Sequence, residues 1–221
     1  MRHADGDPPL NAWARGIVAA ALIGCAGDWN GPKIWVLAIT AGLSFFDLGR
    51  RDRVERRDQA SGTTDPSAPE LYGVAMQLAF LAVLCVGAWD NRFPEATWRH
   101  PGTPGIVGFA LITTGVVLRH RAAQALGRHF TVGLSLFDDH ELIVDGPYRW
   151  LRHPNYAALL LVALGTAMMV WSPRAAGVAL VVWLPLALLR IAAEERALHA
   201  RLGSAYGEYI RGRWCLVPGV Y

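Results

Sequence analysis

The groups that could do chemistry in this chain are concentrated in two polar stretches, residues 119–155 and residues 190–221. The first stretch ends in the run His-Glu-Leu-Ile-Val-Asp-Gly-Pro-Tyr-Arg-Trp-Leu-Arg-His-Pro-Asn-Tyr, which occupies positions 140–156. Its opening residues are not the HExxH zinc motif, because the second histidine is missing. The three cysteines, Cys25, Cys85 and Cys215, fit no zinc-ligand spacing either. The sequence therefore indicates no metal site.

Pro154 predicts the start of a helix at the end of this run. Proline disfavours a helical conformation for the preceding residue, His153, and is well tolerated in the first turn of a helix. The N–H groups and the dipole at such a helix start favour an anion, such as a carboxylate or a phosphate. On spacing alone, Arg152 and His153 could be part of such a site or a pair of side chains at the membrane interface.

The second polar stretch begins with Arg190 and Glu194, which are four residues apart and therefore share one face of a helix. No helix breaker occurs between Leu186 and Leu202, so the sequence predicts a helix that continues to Leu202. From the residues alone, the favoured interpretation of the pair is a simple ion pair at the membrane edge. Such a pair contributes a few tenths of a kcal/mol.

The composition indicates that these stretches belong to a membrane protein. Of the 221 residues, 53% are hydrophobic and only 18% are charged, and the mean hydropathy is +0.25. These values exclude a disordered chain, a nucleic-acid-binding arm and an ordinary soluble enzyme. A soluble helical bundle is disfavoured because too little polar surface remains to cover one.

Six apolar segments predict an all-α, polytopic membrane helix bundle with about six transmembrane helices and a cytoplasmic cofactor-binding region. Several segments are shorter than the ~20 residues that cross a bilayer, but flanking Trp, Tyr and Arg residues extend them. Recurrent Gly and Ala residues allow close approach of neighbouring helices. The segments are 12–27, 34–48, 71–89, 105–118, 156–171 and 175–189.

The distribution of positive charge predicts the orientation of the bundle. With both termini inside, seventeen of the 21 basic residues lie on the cytoplasmic side, including those of the basic run 50–58. Only Lys33, Arg92, Arg99 and Arg174 then lie on the opposite side. The positive-inside rule favours this orientation. It places both polar stretches at the inner membrane surface, where one site could face both lipid and water.

The motifs of the two stretches resemble those of the isoprenylcysteine carboxyl methyltransferase family and its bacterial relatives. These motifs are His-x-Leu-Ile/Val, Gly-Pro-Tyr, Arg-His-Pro-x-Tyr, Glu-Glu-x-x-Leu and Tyr-x-x-Tyr, and they lie within residues 119–218. Family members are integral-membrane enzymes that use S-adenosylmethionine. The resemblance implies methyl transfer to a lipophilic acceptor, chiefly a carboxylate, with the active site on the cytoplasmic side of a bacterial inner membrane.

The resemblance also implies an organisation and a set of partners. Residues 1–118 would form four transmembrane helices with a basic cytoplasmic loop at 49–70. Residues 119–221 would form the catalytic region, with a cofactor loop at 127–155, two further helices and a cytoplasmic tail. The expected partners are membrane lipids and a lipophilic or lipidated substrate that enters from the bilayer, and no nucleic acid.

When the family's motifs are matched to this sequence residue by residue, the resemblance implies that Arg190 binds the substrate. It also implies that Arg190 and Glu194 are the catalytic residues. Gly133 stands about where eukaryotic members have a cofactor-contacting glutamine. The implied cofactor contacts are His140, Glu141, Leu142, Ile143, Tyr148, His153, Pro154, Asn155, Tyr156 and Glu194.

Three other functions fit parts of the sequence. A membrane reductase of the sterol-reductase kind would bind NADPH, but such enzymes often follow His-Pro-Asn-Tyr with Gly and an acid, whereas this chain has Ala157-Ala158. A phospholipid N-methyltransferase would need a base for its amine substrate, for which His129 or Glu141 could serve. A channel or assembly factor would bind neither cofactor.

Overall fold

The computed structural model describes residues 69–92, 103–126 and 143–219. Two of the predicted apolar segments, 12–27 and 34–48, lie outside the described residues. The same holds for residues 49–68 of the basic loop predicted at 49–70. Within the described ranges the chain is helical and contains no β-strand, which confirms the all-α prediction for this part.

Four long helices and two short helical elements make up the described structure. The first, α1, spans Pro69–Arg92, and α2 spans Thr103–Leu126. A 3-10 turn at Gly146–Arg149 precedes α3, which spans Pro154–Met169. The helix α4 spans Pro173–Leu202, and the short α5 spans Ser204–Ile210.

Two of these helices are long and apolar enough to cross a membrane, namely Pro104–Leu126 and Pro173–Leu202. Two shorter apolar helices, Ala75–Asp90 and Pro154–Met169, accompany them. The described residues thus contain two candidate spans by length and composition, and about six transmembrane helices remain an expectation for the whole chain.

The fourth apolar segment is longer than the sequence indicated. The predicted apolar segment 105–118 is shorter than the helix that contains it, because α2 continues without interruption to Leu126. No Pro or Gly occurs between Arg119 and Leu126, and long Arg side chains can extend from the last turns of a helix toward water. The sequence becomes polar at residue 119, whereas the helix extends to Leu126.

Helix α4 contains a change of pitch near its middle. It is α-helical over Pro173–Val178, π-helical over Ala179–Trp183 and α-helical again over Leu184–Leu202. The π-turn ends two residues before Pro185, whose ring and missing N–H disturb regular helical hydrogen bonding. The helix continues past the apolar region to Leu202, as predicted, and ends at Gly203 with a φ of 54°.

Glycines bring α2 and α3 into backbone contact. A Cβ atom added to Gly165 would lie 2.7 Å from the carbonyl oxygen of Gly108, and one added to Gly115 would lie 2.7 Å from that of Ala158. Any larger residue would therefore separate the two helices. The pairing of 108 with 165 and of 115 with 158 shows that α2 and α3 run antiparallel.

A buried polar cluster joins α1 to the turn between α3 and α4. The Ser172 hydroxyl donates to the Asp90 carboxylate, which is only 2% exposed, and accepts a hydrogen bond from the Ala175 amide. Arg174 forms an ion pair with the same carboxylate. Because α3 and α4 are antiparallel neighbours joined at this turn, the start of α3 and the end of α4 meet at the opposite end of the bundle.

Candidate functional site

The hydroxyl group of Tyr156 lies between Arg190 and Glu194. Arg190 Nε donates to this hydroxyl at 2.8 Å, and the hydroxyl donates to Glu194 Oε2 at 3.1 Å. Arg190 is 5% exposed, so its charge is largely removed from water. The sequence predicted a shared helix face for Arg190 and Glu194, and the structure adds the tyrosine of the first turn of α3 as the bridge between them.

A second junction joins Glu195, the residue after Glu194, to Arg152 and His153 at the start of the Arg-His-Pro-x-Tyr motif. Glu195 Oε1 accepts a hydrogen bond from Arg152 Nη1 at 2.7 Å and lies 3.1 Å from His153 Nε2. His153 is 5% exposed, whereas Glu195 is partly buried. The Arg-His-Pro motif and the Glu-Glu motif are therefore joined by two adjacent sets of contacts, one through Glu194 and one through Glu195.

The C-terminal tail pairs with the backbone that precedes α3. Arg152 N–H donates to the Trp214 carbonyl at 2.8 Å, His153 N–H to the Cys215 carbonyl at 3.1 Å, and Trp214 N–H to the Trp150 carbonyl at 3.1 Å. This isolated parallel bridge is centred on Leu151 and Trp214. The tail therefore satisfies the backbone N–H of His153, the residue that directly precedes α3.

Aromatic residues connect the 3-10 turn to α5 and the tail. The Tyr209 hydroxyl donates to the Tyr148 carbonyl at 3.2 Å, and the Arg213 guanidinium lies 4.4 Å from the centre of the Tyr209 ring. Burial raises the pKa of Tyr209 to about 12, although the charges of Arg213 and Arg152 oppose this increase. Burial, with the nearby Glu194 charge, also raises the pKa of Tyr148. Both phenols are therefore neutral donors at physiological pH.

Three buried polar atoms near this junction have no hydrogen-bond partner in the structure. They are Asn155 Oδ1, Arg152 Nε and Arg213 Nε. The first is an acceptor and the other two are donors. Because an unsatisfied buried polar atom costs about 1–3 kcal/mol, such atoms suggest that a polar ligand or water completes the site.

The donor atoms of His153, Glu195 and Cys215 lie within 4.8 Å of one another, a spacing that a metal ion could bridge. Two observations favour a hydrogen-bonded junction instead. The Glu195 oxygen already accepts from the Arg152 guanidinium, which would repel a cation. Burial raises the pKa of Cys215 to about 11, although the Arg152 charge opposes the increase, so the thiol is protonated at neutral pH.

Most of the site residues that the resemblance implied lie close together in the described part of the structure. Tyr148, His153, Pro154, Asn155, Tyr156, Arg190 and Glu194 lie on the 3-10 turn, the start of α3 and the end of α4, which meet at one end of the bundle. Ile143 lies just before the 3-10 turn and is half-buried. His140, Glu141 and Leu142 lie outside the described residues.

Sequence reasoning missed the groups that support this site. Glu195 stands in the quoted Glu-Glu motif, but only its neighbour was assigned a role. Arg152 was recognised as one of a pair with His153 without a partner being found for it. Tyr209 stands in the quoted Tyr-x-x-Tyr motif, but no role was assigned to it. The contact of Cys215 follows from the pairing of the tail, for which the sequence contains no periodic or motif signal.

Comparison with known proteins identifies the family. The model of the isoprenylcysteine carboxyl methyltransferase (ICMT) family matches residues 106–200. A probable protein-S-isoprenylcysteine O-methyltransferase from Oryza sativa subsp. indica is 37% identical over 141 residues, which are 62% of this chain and 71% of the rice protein. Protein-S-isoprenylcysteine O-methyltransferase A from Arabidopsis thaliana is 36% identical over 51% of this chain and 58% of its own length.

A solved structure shares the fold. The eukaryotic intramembrane Ras methyltransferase ICMT superposes with a TM-score of 0.58 at 20% identity, covering 96% of this chain and 76% of the other. At this identity the likeness concerns the arrangement of helices alone. The sequence identity to the rice protein over most of that protein's length, together with the family match, shows that this chain belongs to the isoprenylcysteine carboxyl methyltransferase family.

Proposed function

We propose that the chain transfers a methyl group from S-adenosylmethionine to the carboxylate of a lipophilic acceptor, with an S-isoprenylcysteine as the acceptor class. The chain is a carboxyl methyltransferase of an integral-membrane family, and the reductase alternative is not favoured. The observation that carries the proposal is the Arg190–Tyr156–Glu194 bridge, which joins two family motifs at one end of an apolar bundle.

The cofactor is a proposal that the unsatisfied polar atoms support. The amino-acid part of S-adenosylmethionine carries an ammonium group and a carboxylate. Asn155 Oδ1 is a buried acceptor suited to the ammonium, and Arg152 Nε is a buried donor suited to the carboxylate. When bound, the cofactor supplies a methyl group on a sulfonium, which is an electrophile for displacement.

The contacts for this cofactor remain those that the resemblance implies. In the proposal, Tyr148 packs against the adenosine and the group at the start of α3 holds the polar end. Glu194 contributes negative charge near the ammonium or the sulfonium. The residues are His140, Glu141, Leu142, Ile143, Tyr148, His153, Pro154, Asn155, Tyr156 and Glu194.

Arg190 is suited to hold the acceptor carboxylate. It is buried at the point where the apolar part of α4 ends, and Tyr156 fixes its Nε position at 2.8 Å. A guanidinium held in this way presents a planar set of donors to an anion. A carboxylate is ionised at neutral pH and needs no general base, so Arg190 serves to position it rather than to accept a proton.

The low polarity of the site would help this reaction. A carboxylate and a sulfonium lose opposite charges as the methyl group moves, so the transition state is less charged than the reactants. A site shielded from water therefore favours the transition state relative to the reactants. The apolar exposed residues of α4, including Val181 at 74% and Leu189 at 54%, provide a surface that suits lipid and the apolar part of an acceptor.

We also propose the arrangement of the chain in the membrane. About six helices would cross the bilayer, with residues 1–118 contributing four and residues 119–221 contributing two. The excess of basic residues at one side supports a cytoplasmic site and cytoplasmic termini. A bacterial inner membrane is the proposed location, and membrane lipids and a lipidated or lipophilic substrate are the proposed partners.

Calorimetry on the purified chain in lipid nanodiscs tests the cofactor assignment. We expect S-adenosylmethionine to bind and NADPH not to bind, and we expect Glu194→Gln to weaken the binding of S-adenosylmethionine. The exposed Glu208 on α5 provides a matched control, because Glu208→Gln removes the same charge outside the site. Binding of NADPH alone, or equal affinity of wild type and Glu194→Gln, would contradict the proposal.

A further inference from the structure

Glu195 has no role in the proposed reaction, yet it contacts both residues that precede Pro154. Its Oε1 atom accepts from Arg152 at 2.7 Å and lies 3.1 Å from His153 Nε2. Glu194 and Glu195 differ by about 100° around the helix axis. The two adjacent glutamates therefore serve different partners, Glu194 the Tyr156 hydroxyl and Glu195 the loop before α3.

The chemistry of Glu195 defines the direction of its bond to His153. A guanidinium at 2.7 Å favours the ionised carboxylate, which has acceptors only. The His153 ring must then donate from Nε2. In a neutral imidazole the other nitrogen, Nδ1, becomes the acceptor, because the hydrogen bond at one ring nitrogen selects the tautomer.

Other contacts hold His153 in place around this bond. Its ring is almost fully buried, and its backbone N–H donates to the Cys215 carbonyl at 3.1 Å. The ring lies 5.9 Å from that of Tyr156. On α4, the Glu195 carboxylate contacts the ring at Nε2, and Arg152 donates to the same carboxylate oxygen. Glu195 is thus the acceptor that selects the tautomer.

We propose that Glu195 is a positioning residue, which fixes His153 as the Nε2–H tautomer and leaves Nδ1 as an acceptor for a hydroxyl or ammonium group of the cofactor. The inference rests on the proposed function for the identity of that ligand. The selection of the tautomer does not depend on it, since the contact with Glu195 lies within the chain itself.

The tautomer can be measured directly. The chain is labelled with 15N at the imidazole nitrogens of its seven histidines, and His153→Gln assigns the signal of His153. Without cofactor, we expect His153 to carry its proton at Nε2 in wild type and in Glu195→Asp. Glu195→Gln, whose amide can also donate, should give mixed tautomers. A wild-type proton at Nδ1, or an unchanged wild-type signal in both Glu195→Gln and Glu195→Ala, would overturn the inference.

A double-mutant cycle tests whether the tautomer matters for binding. Glu195→Gln should weaken S-adenosylmethionine binding about tenfold in the wild-type background, as expected for a lost bond to a charged group. In the His153→Ala background it should change binding less than twofold, because the residue through which it acts is gone. Glu208→Gln is the control in both backgrounds.

The two measurements separate the possible failures. Equal effects of Glu195→Gln in both backgrounds would show that Glu195 acts without His153 and would overturn the positioning role. If the wild-type chain bound no S-adenosylmethionine, the proposed function would fail, and the 15N spectra of the ligand-free chain would decide the tautomer assignment.

Discussion

Tyr156 and Glu194, which are 38 residues apart in sequence, are joined by a hydrogen bond of 3.1 Å between the tyrosine hydroxyl and Glu194 Oε2. The bond connects the first turn of α3 to the last part of α4. Arg190 donates to the same hydroxyl. The Tyr156 hydroxyl therefore contacts both the Arg190 guanidinium and the Glu194 carboxylate. From the sequence, these two groups were expected only as an ion pair on one helix face.

Removal of this phenol should impair catalysis without unfolding the protein. Tyr156→Phe keeps the ring but deletes the hydroxyl that contacts Arg190 and Glu194. Hydrogen bonds to charged groups contribute about 1.5–3 kcal/mol, so we expect kcat/KM to fall roughly 10- to 100-fold. Thermal melting in nanodiscs provides the control for folding. Wild-type kcat/KM in Tyr156→Phe would show that the bridge is not part of the site.

Arg190 should affect binding of the anionic acceptor more than the chemical step. We expect Arg190→Ala to raise KM for a lipophilic carboxylate, because the charge that holds the anion is lost. An amide analogue of the acceptor lacks that charge, so its inhibition constant should change much less. Steady-state kinetics with both compounds makes the comparison. Equal losses for the carboxylate and the amide would contradict the assignment.

The glycine contact between α2 and α3 should be intolerant of added volume. In Gly165→Ala the new methyl group would meet the Gly108 carbonyl at 2.7 Å, and overpacking of this kind costs about 1–3 kcal/mol. Gly177→Ala is the matched control, since a Cβ there meets nothing within 4 Å. Thermal unfolding should show a lower Tm for Gly165→Ala and an unchanged or slightly higher Tm for Gly177→Ala.

High pH should destabilise the junction between the 3-10 turn and the tail. Burial raises the pKa of Tyr209 to about 12 and that of Cys215 to about 11. At lower pH the phenol and the thiol are neutral in both the folded and the unfolded chain. As the pH rises, each ionises first in the unfolded chain, where its pKa is lower. Stability should therefore begin to fall near pH 9 for the thiol and near pH 10 for the phenol, and it should continue to fall up to the folded pKa values.

Melting curves between pH 8 and pH 11 measure this effect. We expect the Tm of wild type to decrease as pH rises, with a smaller decrease in Tyr209→Phe and in Cys215→Ala, which each lack one ionisable group. A wild-type Tm that rises over this interval, or equal slopes in all three proteins, would contradict the linkage.

The sequence was sufficient to predict the helical fold, the helix start at Pro154 and the continuation of the last long helix to Leu202. These features depend on local signals, namely apolar segments, a proline and a stretch without helix breakers. The extension of α2 beyond residue 118 was missed because polarity, which marks the membrane edge, was taken as the end of the helix.

The supporting contacts of the site could not be predicted in the same way. Glu195 contacts Arg152 across 43 residues, and the Trp214–Leu151 pairing is a single bridge without a strand pattern. Neither contact has a periodicity that a sequence would show. The resemblance implied which residues contact the cofactor, whereas the structure shows which groups hold the described ones among them in place.

The most direct test of the proposed activity is the chemical form of the transferred methyl group. The purified chain in nanodiscs is incubated with S-adenosylmethionine labelled in its methyl group and with an S-isoprenylcysteine that has a free carboxylate. We predict that the label appears in the acceptor and that treatment with base releases it as methanol, because base hydrolyses a methyl ester. Label that resists base, or no transfer while S-adenosylmethionine binds, would contradict carboxyl methylation.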